Sequence, residues 1–236
     1  MKYRQGFKLS ILSFASVVLY LLLAFQYPLK PSLKIPRASW ASLVEATWLS
    51  LGYHLLIYIA LFLIYILVLR NLSSNDINGK RDRRKQTLVI IFTWLVCSFV
   101  LLFAAPGGES HDIFDYLFRG RMMVEYNGNP LTDVPDDFKL ATPFSRYTAW
   151  RKYVDTYGPV WEFASAGIAK GVQVLTARSS WGAETSPVCP ISSESCRLLV
   201  VYIWGYRMLA IVLTGLSGWL VYKIVQNSQP ALSPMA

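Results

Sequence analysis

Long apolar blocks alternate with polar segments along the chain, and their lengths indicate the class of protein. The blocks run from about Leu9 to Tyr27, Trp48 to Leu69, Leu88 to Ala105, and Leu198 to Val221. A helix that crosses a membrane needs roughly 20 apolar residues, and in lipid a helix satisfies its own backbone polar groups. We therefore predict an all-α, polytopic membrane protein with about four spans, three of them within residues 1–105 and one within 198–236.

The first block has a second interpretation, as a cleaved signal peptide. Lys2, Arg4 and Lys8 precede its apolar stretch, as basic residues do in a signal peptide. The apolar stretch is longer than a typical signal core and lacks a clear Ala-x-Ala cleavage site. We therefore interpret the block as a retained span.

Basic residues predict the orientation of the spans. They cluster before span one and between spans two and three, where the second group is Arg70, Lys80, Arg81, Arg83, Arg84 and Lys85. Clusters of this kind mark cytoplasmic segments, so residues after 105 begin outside, although three basic residues between spans one and two count against this orientation. The formal net charge of +9 therefore indicates contact with membrane lipids rather than with nucleic acid.

Residues 106–197 form a long loop that we predict to be external. The loop is rich in Tyr, Trp and Phe, which argues against disorder and for a functional segment. Within it, Pro159 to Leu175 has the pattern of a helix with Pro in its first turn. Glu162 and Lys170 favour a helix that lies on the membrane surface, and a fifth span is the alternative.

Cysteine and histidine residues add little chemistry. Cys97 and His54 lie inside spans and are predicted to be packed there. Cys189 and Cys196 flank a short segment and would form a disulfide if that segment faces an oxidising compartment. No Cys/His spacing fits a zinc site, so we predict no resident metal or cofactor, and the need for a metal stays open.

The string from Gly108 to Arg121 follows the third span and predicts a helix capped by Ser110. One face carries Asp112, Asp115, Tyr116 and Arg119, which are three and four residues apart. The opposite face carries Ile113, Phe114, Leu117, Phe118 and Val124. In the simplest interpretation, the acids stabilise the helix start and Asp115 pairs with Arg119. Arg121 projects from the apolar face, towards a lipid headgroup or a bound phosphate.

These residues resemble the first-loop motif of GT-C glycosyltransferases, and most closely the bacterial polyprenol-phosphate-mannose-dependent mannosyltransferases. In that family an acidic residue follows a span, then an aromatic residue, then Gly-Arg, then Gly-x-Asn-Pro. The matching residues here are Asp112, Tyr116, Gly120-Arg121 and Gly128-Asn129-Pro130, followed by the similar strings Trp150-Arg151 and Thr156 to Trp161. The likeness covers about Glu109 to Ala166 and departs from the family at Leu131, where Tyr is frequent.

The resemblance implies a membrane glycosyltransferase of the bacterial plasma membrane. It would transfer a sugar from a polyprenyl-phosphate donor to a hydroxyl of a glycan, lipid or protein acceptor on the outer side. Asp112 would be the catalytic base. The substrate-binding residues would be Asp115, Tyr116, Arg119, Arg121, Asn129, Arg151 and Tyr157. Arginine suits the donor phosphate, and aromatic rings such as those of Trp150 and Trp161 suit sugar stacking or membrane anchoring.

The number of spans departs from the family, whose members have many more. We therefore expect a fragment, a split gene product or a degenerate copy, with a companion chain that supplies further spans. The alternative is a non-catalytic membrane scaffold or assembly partner. Transport is disfavoured, because the spans carry almost no internal charge and show no evident repeat.

The basic segment from Lys80 to Lys85 generates a topology prediction. A reporter fused at Asn78 should be cytoplasmic, and one fused at Asp136 should be outside, because Lys and Arg hold short loops on the cytoplasmic side. Paired alkaline phosphatase and green fluorescent protein fusions measure both sides. A cytoplasmic reporter at Asp136 would exclude the long loop from acting on an exported lipid-linked sugar.

Overall fold

The computed structural model describes residues 2–29, 47–73, 80–104, 112–138, 148, 150–177 and 194–228. These residues form six α-helices and one short 3-10 helix, Pro135–Asp137. The α-helices are α1 (Lys2–Gln26), α2 (Trp48–Ser73), α3 (Lys80–Leu101), α4 (Asp112–Glu125), α5 (Pro159–Thr176) and α6 (Glu194–Ser228). The described residues contain no strand, only an isolated bridge between Pro28 and Ala104. The all-α prediction is confirmed.

Four of the helices are long and apolar enough to cross a membrane. The spans are Phe7–Gln26 in α1, Leu51–Leu72 in α2, Arg84–Leu101 in α3 and Arg197–Ile224 in α6. Little of their surface is buried by the rest of the chain, so large apolar side chains face outward along all four. Surface of this kind is stable when lipid covers it. The chain is therefore a multi-pass membrane protein, and the prediction of about four spans is confirmed.

The first three spans form one packed group, in which α1 contacts both α2 and α3. Leu23, Tyr27 and Ile57 are buried at its centre. The His54 ring lies 5.4 Å from the Tyr27 ring, which follows α1, and it also packs against a tyrosine ring of its own helix, α2. Cys97 is buried with a free thiol. The predictions that His54 and Cys97 are packing residues are confirmed.

A second group consists of α4, α5 and the first half of α6. Its core is a continuous apolar cluster to which all three helices contribute. The fully buried members include Phe114, Leu117, Phe118 and Met122 of α4, Ala169 and Val172 of α5, and Leu199, Tyr202 and Ile203 of α6. The helix predicted to follow the third span is thus enclosed by protein, because its apolar face packs on two other helices.

Backbone carbonyls at the end of α3 join the two groups. Trp204 Nε1 donates to Leu102 O at 2.9 Å, and Arg207 Nη1 donates to Leu101 O at 2.6 Å and to Leu102 O at 3.0 Å. The last carbonyls of a helix have no partner within it and carry partial negative charge. Since the four spans contain no Asp or Glu, these carbonyls give the Arg207 guanidinium its acceptors.

Helix α5 is present as predicted and has two different faces. Val160, Phe163, Val174 and Leu175 are exposed apolar residues, whereas the opposite face is buried against α4 and α6. The helix is not among the four that are long and apolar enough to span. An exposed apolar face suits a helix that lies on a membrane surface, and this location stays a prediction.

Several predicted features lie outside the described residues. They are the Ser110 cap, the three basic residues between spans one and two (Lys30, Lys34 and Arg37), and the Cys189 and Cys196 side chains.

Gly120 is the point of closest approach between α4 and α5. A Cβ atom on Gly120 would overlap the backbone oxygen of Ser165, which belongs to the facing turn of α5. Because backbone on the opposite helix cannot rotate away as a side chain can, the two helices would have to separate. Close packing of the two helices therefore explains why the Gly-Arg dipeptide of the sequence motif has glycine at its first position.

We predict that Gly120→Ala destabilises the protein by about 1–3 kcal/mol, the typical cost of overpacking a close contact. The free energy of unfolding in detergent measures this effect. Gly167→Ala is the matched control, since Gly167 lies on α5 with open space around it. That substitution should be neutral or stabilising, by up to about 1 kcal/mol of helix propensity. Equal destabilisation by both variants would contradict the close contact.

Candidate functional site

Asp112 is the first residue of α4, and two aromatic side chains from a distant segment contact its carboxylate. Trp150 Nε1 lies 3.4 Å from Oδ1, and the Tyr157 hydroxyl donates to Oδ2 at 3.2 Å. Both aromatic residues come from residues 150–158, which we call the 150–158 segment. The Asp112 carboxylate is partly exposed, so a solute can reach it. The structure thus brings together Asp112 and Tyr157, two of the predicted site residues.

The 150–158 segment is held by two buried charged residues of α4. Asp115 Oδ1 accepts a hydrogen bond from the Trp150 amide at 3.1 Å. Arg119 Nη2 donates to Tyr153 O at 2.8 Å and lies 3.4 Å from Trp150 O. Asp115 is only 2% exposed and Arg119 only 3%. The face of α4 that carries Asp112, Asp115 and Arg119 is therefore an inner surface of the site.

Burial also changes what Asp115 and Arg119 can do. Both were predicted to bind substrate, and the simplest alternative paired them with each other. In the structure Arg119 Nε faces Asp155 Oδ1 at 3.8 Å, and Asp115 is bonded to the backbone of Trp150. Their contacts with the segment favour a positioning role, because groups this buried do not reach a bound substrate directly.

Asp155 links the 150–158 segment to the start of α5. Its Oδ2 accepts hydrogen bonds from the amides of Tyr157 at 2.8 Å and Gly158 at 3.0 Å. Gly158 has φ +88°, a conformation that favours glycine, and Pro159 then starts the helix. Asp155 was not among the site residues predicted from the sequence. An Asp that precedes Gly-Pro at a helix start is nevertheless a recognisable turn signal.

Glu162, one turn into α5, points inward rather than towards water. It is 2% exposed, and its side chain lies within hydrogen-bonding distance of Asp155. Burial raises the pKa of Glu162 to about 8. The hydrogen bond to Asp155 and the charge of Asp155 raise this pKa further, whereas the charge of Arg119 lowers it. We used Glu162 as an indication of a solvated helix face, and that interpretation is wrong, because this face of α5 packs against α4.

Tyr116 forms the aromatic side of the site. Its ring packs edge-on against Tyr157 at 5.0 Å and Trp161 at 4.9 Å between centroids. Burial is the larger cause and a hydrogen bond to the Tyr157 hydroxyl the smaller cause that together raise the pKa of Tyr116, so the Tyr116 phenol is neutral. Trp161, predicted to anchor the loop at the membrane interface, packs inside the protein against this cluster. Tyr116 thus supports Tyr157 both by packing and by hydrogen bonding.

The remaining predicted binding residues have partners in their own neighbourhoods. Arg121 is buried and forms a two-point ion pair with Glu125, at 2.8 and 2.6 Å. The guanidinium of Arg121 is therefore engaged by protein, and its contact with a lipid headgroup or a phosphate stays a prediction. Asn129 Oδ1 accepts the Leu131 amide at 3.1 Å and so forms a turn. Arg151 is exposed, and its Nε lies 2.9 Å from Asp136 Oδ1.

A separate cavity of about 480 Å³ lies among the four spanning helices. Residues that line it include Tyr20, Tyr27, His54, Trp94 and Arg207. None of the residues that contact Asp112 lines this cavity. Among the described residues, no group of three or more His, Cys, Asp or Glu side chains is placed to hold a metal ion.

The arrangement around Asp112 suits proton transfer next to a ring-shaped ligand. The carboxylate is oriented by two donors and remains accessible, as a general base must be. Trp150 and Tyr157 are both about half exposed beside it, and aromatic faces of this kind stack on sugars. An accessible carboxylate therefore lies next to two aromatic rings on which a sugar could stack.

No family model, curated protein or solved structure matches the chain. A functional interpretation of the Asp112 site therefore depends on its residues, their contacts and their chemistry.

The buried contacts of Arg119 generate a stability prediction. Arg119→Met would leave Asp155 and two backbone carbonyls without their buried cation, which typically costs about 3–5 kcal/mol. Arg151→Met is the matched control, because it removes an exposed ion pair worth about 0–1 kcal/mol. The free energy of unfolding in detergent distinguishes them. Similar losses for both variants would mean that Arg119 does not hold the 150–158 segment.

Proposed function

We propose that this chain carries the catalytic base of a GT-C type membrane glycosyltransferase. The enzyme transfers a sugar, mannose by the resemblance, from a polyprenyl-phosphate donor to an acceptor hydroxyl. The acceptor is a glycan, lipid or protein at the outer side of a bacterial plasma membrane. One observation carries the proposal: the accessible Asp112 carboxylate is contacted by Trp150 and Tyr157, which belong to the second string of the resemblance.

In the proposed reaction, Asp112 accepts the proton of the acceptor hydroxyl. The hydroxyl oxygen attacks the anomeric carbon of the donor sugar, and the bond from that carbon to the phosphate oxygen breaks. The phosphate leaves with the bonding electron pair, and the configuration at the anomeric carbon inverts. The Trp150 and Tyr157 donors hold the carboxylate so that an oxygen lone pair faces the acceptor.

The leaving phosphate requires a cation, and the contacts in the structure indicate which basic side chains are available to bind it. Arg119 and Arg121 are buried and engaged by protein groups. Arg151 and Lys152 are exposed in the same segment as Trp150. We assign the phosphate to Arg151, which would exchange its exposed contact with Asp136 for the stronger charge-assisted bonds of a phosphate.

Proximity to the membrane supports a lipid-linked donor. The third span ends at Leu101 and α4 begins at Asp112, while α5 presents an exposed apolar face beside the same site. A donor whose isoprenoid tail stays in lipid would therefore present its phosphate and sugar near Asp112. A companion chain with further spans, as the resemblance implies, would enclose the tail.

The decisive experiment substitutes the base. Asp112→Asn should lower sugar transfer from a polyprenyl-phosphate donor by about 100-fold to 10,000-fold, the usual contribution of a general base, without impairing membrane insertion. Asp137→Asn is the matched control and should be near wild type, since Asp137 is exposed in the 3-10 helix. The assay follows transfer of radiolabelled mannose in membranes that contain the native assembly.

Two results would sink the proposal. Near-normal turnover of Asp112→Asn in that assembly would show that Asp112 is not the base. Absence of transfer by the wild-type assembly from every polyprenyl-phosphate sugar would leave the scaffold alternative. Asp115→Asn gives an additional comparison, and we expect a partial loss, because Asp115 holds the Trp150 backbone without facing the acceptor.

A further inference from the structure

Two carboxyl groups face each other inside the protein, behind the Asp112 site. Both oxygens of Glu162 and Oδ1 of Asp155 are buried, and no described residue places a hydrogen-bond donor on them. The two side chains are nevertheless within hydrogen-bonding distance of each other. Ionised carboxylates only accept hydrogen bonds, so two of them at this distance repel. A proton carried by one carboxyl supplies the missing donor to the other.

The contacts identify Glu162 as the residue that carries this proton. Asp155 Oδ2 accepts hydrogen bonds from two backbone amides, and the Arg119 guanidinium lies beside Oδ1, so Asp155 already has donors and a cation next to it. Among the described residues no donor group bonds to the Glu162 oxygens, and burial together with Asp155 raises the pKa of Glu162 against the opposing charge of Arg119. The other groups that face Glu162 are the Arg119 guanidinium of α4 and the Tyr206 hydroxyl of α6.

We propose that Glu162 is a positioning residue of the Asp112 site, which donates its carboxyl proton to Asp155 and thereby fixes the 150–158 segment against α4. The chain of contacts runs from Glu162 to Asp155, from Asp155 to the Tyr157 amide, and from the Tyr157 hydroxyl to Asp112. The inference concerns the geometry of the site, and only its activity readout rests on the proposed function.

The proton makes the positioning dependent on pH. The folded state holds the pKa of Glu162 at about 8, above its ordinary value of 4.5, so the folded state binds one more proton between these values. Stability that depends on this proton is complete below about pH 4.5 and is lost as the pH rises to about 8. Above that range Glu162 is negative and can no longer donate a proton to Asp155.

Hydrogen exchange tests the inference directly. The amides of Trp150, Tyr157 and Gly158 donate to Asp115 or Asp155, so their protection reports on the position of the segment. After correction for intrinsic exchange rates, wild-type protection should fall between pH 5 and 8, by up to about tenfold per pH unit, the limit for one linked proton. Peptides from α1 to α3 serve as the internal reference.

Two variants distinguish the effect of the Glu162 proton from the effect of the Glu162 side chain as a whole. Glu162→Gln keeps a permanent donor to Asp155 and cannot titrate, so protection should stay high and lose its dependence on pH. Glu162→Leu removes the donor, so protection of the segment should be low at every pH while the α1 to α3 peptides keep wild-type protection. The pH dependence of sugar transfer should match the pH dependence of amide protection. The decline of the transfer rate towards pH 8 should therefore be absent in Glu162→Gln.

The outcomes distinguish this inference from the proposed function. A Glu162→Gln variant with the wild-type slope would assign the proton to another group and overturn the inference. Wild-type protection in Glu162→Leu would overturn it as well. An assembly that transfers no sugar would refute the glycosyltransferase proposal, and the exchange data would still decide whether Glu162 fixes the segment.

Discussion

The buried guanidinium of Arg119 is the constraint on which the Asp112 site depends. Arg119 extends from α4 to two carbonyls of the 150–158 segment and to Asp155, and each of these acceptors belongs to a part of the chain distant in sequence. A buried cation is costly unless acceptors lie next to it, and here two carbonyls face Nη2 and a carboxylate faces Nε. The segment is therefore held closely, and Trp150 and Tyr157 reach Asp112 as a consequence.

The protein satisfies buried charge differently inside and outside the spans. Around α4 and α5, carboxylates and backbone groups surround Arg119, and Glu125 pairs with Arg121. Inside α6, Arg207 bonds to the last carbonyls of α3, since the spans contain no acid. A lone cation within a span was a signal available in the sequence. The contact that joins the two helical groups could have been suspected from it.

Local pattern predicted a substantial part of the site and missed its interior. The helix after span three, the helix that starts at Pro159 and the choice of Asp112 and Tyr157 as candidate site residues all follow from spacing and resemblance. The orientation of Glu162 does not, because its helix has apolar residues on both faces and either could have been buried. The Arg121–Glu125 pair was visible as an i, i+4 spacing, and it shows that a basic residue near a membrane need not face lipid.

The sequence by itself determined the helical class and the four spans, because the length of an apolar block and the absence of water in lipid leave one solution for the backbone. Only the tertiary structure decided which polar groups are buried. Asp115 and Arg119 are distant in sequence from Asp155 and Glu162, and the burial of all four depends on partners that α4, α5 and the 150–158 segment supply together. Periodicity specifies a face of a helix, and the neighbouring elements specify whether that face meets water, lipid or an opposite charge.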